Sequence, residues 1–272
     1  LDSLDEFFSS NPDLNYRIAI LLTSNEEGDA SDGFIDKIVD EMIKNDEKID
    51  LCLVGEPTSY LKIGDSVRIG RRGSLGGRLK VLGKQGHIAY PENVKNPIFS
   101  ASDAIVELKN TVWDNGNAIF QPTSFQISNI HSGTGAKNVV PGELEMFFNF
   151  RYSTESSQET LVNEFESILN KLEIEYEIDW KLSGLPYLTE ENNLKDVVVQ
   201  SVEKITGYSP DLNAKGGTSD GRFIAKMGTE IVELGPLNET IHQIDEHIKI
   251  SELWTLKNIY TDILEGLNKK LA

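Results

Sequence analysis

The chain has 272 residues, 39% hydrophobic and 26% charged, a balance that suits one large or two ordinary cores and excludes a disordered polymer. Its net charge of -18 argues against nucleic-acid binding, which needs cations to neutralise phosphates, and no apolar run approaches the ~20 residues that span a bilayer. An acidic chain that takes an anionic ligand must gather its cations locally, so single arginines near a pocket matter more than the total.

In chain order, Arg17 to Thr23 (R-I-A-I-L-L-T) reads as a short strand buried on both faces. Phe34, Ile35, Ile38, Val39, Met42 and Ile43 recur at helical spacing between Asp32 and Asn45, with Ser31 or Asp32 as N-cap. Asp50 to Gly55 is a second buried strand. It holds the single cysteine, Cys52, and a buried thiol suits a reducing compartment, so a cytoplasmic protein is expected.

From about Val67 the pattern changes to strand, helix (Asn96 to Trp113), two long strands, helix (Ser156 to Leu172) and strand (Ile174 to Leu182). The long strands, Phe125 to Ile130 and Glu143 to Arg151, alternate with period two and flank a glycine-rich turn, S-G-T-G-A-K. The order β-α-β-β-α-β predicts a ferredoxin-like unit. Alternation then resumes with a helix over Asn193 to Thr206, a strand over Thr229 to Leu234 and an amphipathic helix over Ser251 to Leu267. The expected fold is α/β: a mostly parallel sheet flanked by helices, residues 1–67 and 184–272, with an α+β domain, residues 68–183, inserted into it.

Three polar clusters directly follow the outer-domain strands: Glu26-Glu27-Gly28, Gly55-Glu56-Pro57-Thr58, and the loop Gly235 to His242. Ligands of open α/β sheets bind at the carboxyl ends of strands, so the three converge if their strands are parallel neighbours. Carboxylates and an imidazole suit zinc or a similar ion. One of Glu26 and Glu27 could ligate metal while the other takes a proton from water of lowered pKa. By spacing alone, adjacent glutamates are more often a solvated acidic turn. His87, in Q-G-H-I-A-Y-P, is by itself a loop histidine, and Gly216 to Gly221 (G-G-T-S-D-G) is at most a backbone cradle for an anion.

Together the blocks T-S-N-E-E-G, V-G-E-P-T-S, G-R-R-G-S-L-G-G, G-K-Q-G-H-I-A-Y-P-E, N-V-V-P-G-E-L, F-N-F-R-Y-S-T-E, G-G-T-S-D-G-R-F and G-P-L-N-E-T-I-H are similar to those of the succinyl-diaminopimelate desuccinylases, within the aminoacylases and metallo-exopeptidases with paired zinc ions. The resemblance implies hydrolysis of a succinylated amino acid in lysine biosynthesis, a homodimer formed through the inserted domain, and two zinc or cobalt ions. It makes Glu26 the general base, Glu27 and His242 ligands of one ion, Glu56 a ligand of the other, and His87 an oxyanion donor reaching a partner subunit. Arg71, Ser74, Tyr90, Asn138, Arg151, Gly217, Thr218 and Arg222 match substrate-holding positions, and Lys137 stands where the family tends to have a polar amide. The family's H-x-D motif and its metal-bridging Asp have no counterpart in the sequence. The reading therefore expects a truncated chain with doubtful metal occupancy, inactive alone. A sister deacylase such as acetylornithine deacetylase, or a non-catalytic dimerising remnant, are the alternatives.

Overall fold

The computed structural model describes residues 1–12, 14, 16–22, 34–190 and 193–271. In chain order the elements are α1 (Asp2–Ser10), α2 (Phe34–Lys44), β1 (Leu51–Val54), β2 (Ser66–Arg68), β3 (Gly70–Arg71), β4 (Gly73–Leu82), β5 (Gly86–His87) and α3 (Pro97–Asn110). There follow β6 (Ser124–Ser132), β7 (Val139–Val140), β8 (Glu143–Tyr152), α4 (Gln158–Lys171), β9 (Tyr176–Gly184) and β10 (Tyr187–Leu188). The last are α5 (Asn193–Thr206), β11 (Asp211–Asn213), the short α6 (Gly221–Ile224), β12 (Glu230–Glu233) and α7 (Ile250–Leu271). They divide into two compact units, Leu1–Arg71 with Tyr187–Ala272, and Arg72–Pro186.

The first unit has a sheet in the order β1-β12-β2-β11. β1 runs parallel to β12 and β11 parallel to β2, while β12 meets β2 antiparallel through Glu233 and Arg68 alone, so the sheet is mostly parallel, as expected, with one antiparallel junction. β10 and β3 form a separate antiparallel pair. Val197, Val198 and Val202 of α5 are buried, as are Ile259 and Ile263 of α7, and the two helices pack together. Val39 of α2, Ile224 of α6 and Ile231 of β12 form a smaller apolar cluster.

The expected strand from Arg17 is not formed. Residues 17–22 have no regular structure, and Ile20, Leu21 and Leu22 stand exposed, with no strand beside them among the described residues. An apolar run alone does not make a strand; it needs a partner for its N–H and C=O groups. Thr23 lies outside the described residues.

The second unit is an antiparallel sheet in the order β6-β8-β4-β9, with α3 and α4 on one face, which is the ferredoxin-like arrangement. Alternation along β8 buries Leu144, Met146, Phe148, Phe150 and Tyr152 and leaves Glu145, Phe147, Asn149 and Arg151 on the other face. Phe148 stacks on Phe165 of α4 at 4.6 Å, with Trp180 edge-on at 5.3 Å. α4 starts with a reciprocal cap: Ser157 Oγ accepts from Thr160 N–H at 3.1 Å, and Thr160 Oγ1 accepts from Ser157 N–H at 2.9 Å.

Candidate active site

The parallel pairing of β1 with β12, Leu51 opposite Glu230 through Val54 opposite Glu233, sends the two following loops off the same sheet edge. There they are stitched together. Ser59 N–H donates to Pro236 C=O at 3.1 Å and Asn238 N–H to Ser59 C=O at 2.9 Å. Ser59 Oγ donates to Gly235 C=O at 2.8 Å, and Gly235 N–H to Thr58 Oγ1 at 3.1 Å. A Cβ on Gly235 would fall 2.2 Å from the carbonyl oxygen of Glu56, so only glycine permits this approach. Glu56 is half-buried in the first loop; His242 ends the second, exposed, at φ 59°, its N–H on Glu246 Oε2 at 3.3 Å.

Glu26 and Glu27 lie outside the described residues. Among the described residues no three His, Cys, Asp or Glu side chains come together as a metal site. Glu56 and His242 are nonetheless the donor types a divalent ion takes, on adjoining loops.

Beneath the edge lies a residue the sequence reading passed over. Glu233, the last residue of β12, is fully buried. Arg71 Nε lies 3.0 Å from both of its oxygens, Arg71 Nη2 bonds Oε2, and Tyr187 OH donates to Oε1 at 2.6 Å with Ser219 Oγ at 2.5 Å. Burial, then the charge of Glu233, pushes the Tyr187 hydroxyl far above its usual range and the Cys52 thiol up to about 11. A single acid inside the run I-V-E-L, with R-R elsewhere, was the available signal, since a buried charge requires an opposite one.

Arg71, expected to grip substrate, is therefore turned into the protein. Its Nη1 donates to the carbonyls of Lys215 at 3.3 Å and Gly217 at 3.0 Å, in the glycine-rich loop that carries Thr218. Burial opposes its charge, but the bond and field of Glu233 outweigh that and hold its pKa raised, with Glu56 adding to the effect. Arg222 donates to Ser219 C=O at 3.0 Å and lies over the Phe223 ring. Arg68, also buried, reaches Asn213 Oδ1 at 2.5 Å and, through Nη2, Thr58 C=O at 3.2 Å, bracing the loop of Glu56 from below.

In the second unit, Ser74 and Arg151 sit opposite each other on β4 and β8. Asn149 Nδ2 donates to Ser74 Oγ at 3.3 Å, while Asn149 Oδ1 and Arg72 Nε are buried without a hydrogen-bond partner among the described residues. Neither residue was singled out from sequence. His87, Tyr90 and Asn138 are gathered by the β5–β7 ribbon: Ile88 N–H donates to Asn138 C=O at 3.2 Å, and the rings of His87 and Tyr90 lie 5.9 Å apart. Ala89 N–H donates to His87 Nδ1 at 3.1 Å, which places the proton of the neutral ring on Nε2, as a donor.

Residues 69–177 match a peptidase dimerisation domain. The chain is 50% identical over 265 residues to a succinyl-diaminopimelate desuccinylase of Methylococcus capsulatus, covering 97% of this chain and 70% of that protein. It is 53% identical over 263 residues to one of Acinetobacter baumannii, covering 97% and 69%. Among solved structures, an aminopeptidase of Bacillus cereus is similar at TM-score 0.74 and 20% identity, over 90% of this chain and 63% of that one, less than two thirds of its length. An M20 family metallo-carboxypeptidase of Sulfolobus solfataricus also reaches TM-score 0.74, at 16% identity, over 97% and 73%. At such identities the structures show a shared fold.

Proposed function

The chain belongs to the succinyl-diaminopimelate desuccinylase family, and on that premise we propose that it serves the hydrolysis of N-succinyl-L,L-diaminopimelate to succinate and L,L-diaminopimelate in lysine biosynthesis. The observation that supports this reading is the stitching of the Glu56 loop to the loop that ends in His242, where β1 and β12 end side by side. In the reaction water adds to the amide carbonyl, the C–N bond breaks, and the amine leaves with a proton. Glu26 takes the proton from water and returns it to the leaving nitrogen. A pair of divalent ions, zinc or cobalt, held by Glu27 with His242 and by Glu56, supplies when bound a Lewis acid and a water of lowered pKa.

The remaining roles fall to groups that hold charge or position. His87, from the partner subunit of a homodimer, offers Nε2–H to the oxygen that gains charge, a role its Nδ1 bond supports. Ser74, Tyr90, Asn138, Arg151, Thr218, Gly217 and Arg222 hold the substrate carboxylates and amine, an assignment for which the guanidinium of Arg151 is well suited. The enzyme works in the cytoplasm, in keeping with a free, half-buried Cys52. Among the described residues no helix is long and apolar enough to cross a membrane.

The test, run on this chain joined to a segment that supplies H-x-D and the bridging Asp, is release of a further primary amine from N-succinyl-L,L-diaminopimelate beside N-acetylornithine. Amine from the succinylated compound alone is expected. Glu56→Gln and His242→Ala should each lower both turnover and the number of zinc ions retained after gel filtration. Preference for the acetylated compound would move the chain to the sister deacylases. Silence on both, with zinc bound, would end the reading.

A further inference from the structure

Glu233 spends a fully buried carboxylate on a site that no motif marks. Such burial is costly unless every oxygen is bonded, and here Arg71, Tyr187 and Ser219 take both. What the pair does beyond filling the core is visible on the other side of the guanidinium. Arg71 Nη1 holds the carbonyls of Lys215 and Gly217. In a planar trans peptide the C=O and the next N–H point opposite ways. Arg71 thus directs the N–H groups of Gly216 and Thr218 away from itself. Lys215, Gly216 and Gly217 are exposed and Thr218 is partly so, and among the described residues the N–H groups of Gly216, Gly217 and Thr218 have no acceptor. Gly216 sits at φ +95°, and a Cβ there would lie 2.9 Å from Arg71 Nη1, so the turn accepts only glycine. Successive N–H groups turned outward form a concave seat for an anion.

We infer that Glu233 is a positioning residue: by fixing the plane of Arg71 it sets the Lys215–Thr218 loop so that its N–H groups receive a carboxylate of the succinylated substrate. The identity of that anion rests on the proposed reaction; the arrangement of the loop does not. A merely structural ion pair would set stability and leave affinity alone.

The experiment is Glu233→Gln in the zinc-loaded protein with the H-x-D segment joined, read by KM against kcat, by inhibition with free succinate, and by the ¹⁵N amide shifts of Gly216 and Thr218 on adding succinate. KM and the succinate inhibition constant should each rise about tenfold, kcat should fall less, and the succinate-dependent shifts should vanish. Should that variant fail to fold, Arg71→Lys keeps the charge but cannot span a carboxylate and two carbonyls, and the same changes are expected. A variant that melts lower yet binds succinate as the parent does overturns the inference. Succinate-dependent shifts without turnover of the succinylated substrate would instead sink the proposed reaction and leave the inference standing.

Discussion

Asp114 shows how much one side chain can organise once the chain around it folds. Its carboxylate accepts from the N–H groups of Gly116 at 2.8 Å and Thr123 at 2.9 Å, and from the hydroxyls of Ser153 at 2.9 Å, Ser156 at 2.6 Å and Thr123. Burial alone would raise its pKa, but the bonds from Ser156 and Thr123 outweigh it and bring the group down to about 2. A carboxyl held below its unfolded value of ~3.9 contributes stability that is complete above that value and is lost as pH falls through the folded one. Asp114→Asn should therefore lower the urea midpoint at pH 7, and its deficit against the parent should shrink between about pH 4 and pH 2. A deficit that stays constant across that window would show that the charge is not what the loop uses. Neither Asp114 nor Glu233 was legible in the sequence, because each draws its partners from separated segments: residues 114, 123, 153 and 156 in one case, 71, 187, 219 and 233 in the other. Glu56 and His242 were singled out because their loops follow strands within distinctive blocks, and the structure joins those two loops; the buried partners of Arg71 had no such local sign.

Elements were readable where their repeats were long. β8 alternates over ten residues and α7 keeps its apolar stripe over 22, and both lie close to where periodicity puts them. β2, β3, β10 and β11 are two or three residues long, too short to show any period, yet among the described residues they take part in three of the four strand pairings of the first unit. The apolar run from Arg17 erred the other way, with composition of a strand and no described partner. One glycine in β4 tests how tightly the second unit is specified. Gly77 lies opposite Phe148, and a Cβ there would meet that ring at 2.3 Å. The ring cannot retreat, since Phe165 is stacked on it and Trp180 abuts its edge. Gly77→Ala should cost about 1–3 kcal/mol by overpacking, seen as a lower denaturant midpoint with an unchanged slope. An unaltered midpoint would mean that the aromatic cluster has slack the close packing denies.

At the scale of the whole molecule, the sequence carried the order of elements and the sense of most pairings, but not the antiparallel junction of β12 with β2, which joins residues far apart in the chain and has no local pattern to encode it. Oligomer formation belongs to the same scale. The second unit matches a peptidase dimerisation domain, and its strand β6 is an edge whose last residues, from Asn129 to Ser132, are exposed. An unpaired strand edge is a template for a second copy. If that copy completes the site, the chemistry of one subunit depends on the His87 of the other. His87→Ala should then lower the rate on the order of 10²–10³, as removal of an oxyanion donor does, with little change in fold. Glu26→Gln should abolish proton transfer in its own subunit. With both variants carrying the H-x-D segment, mixing after unfolding and joint refolding forms heterodimers in which one site combines an intact Glu26 with an intact His87, so part of the activity should return. Heterodimers confirmed by native mass spectrometry yet silent towards the succinylated substrate would place His87 in the service of its own chain, and the dimer would then hold the fold together without building the site.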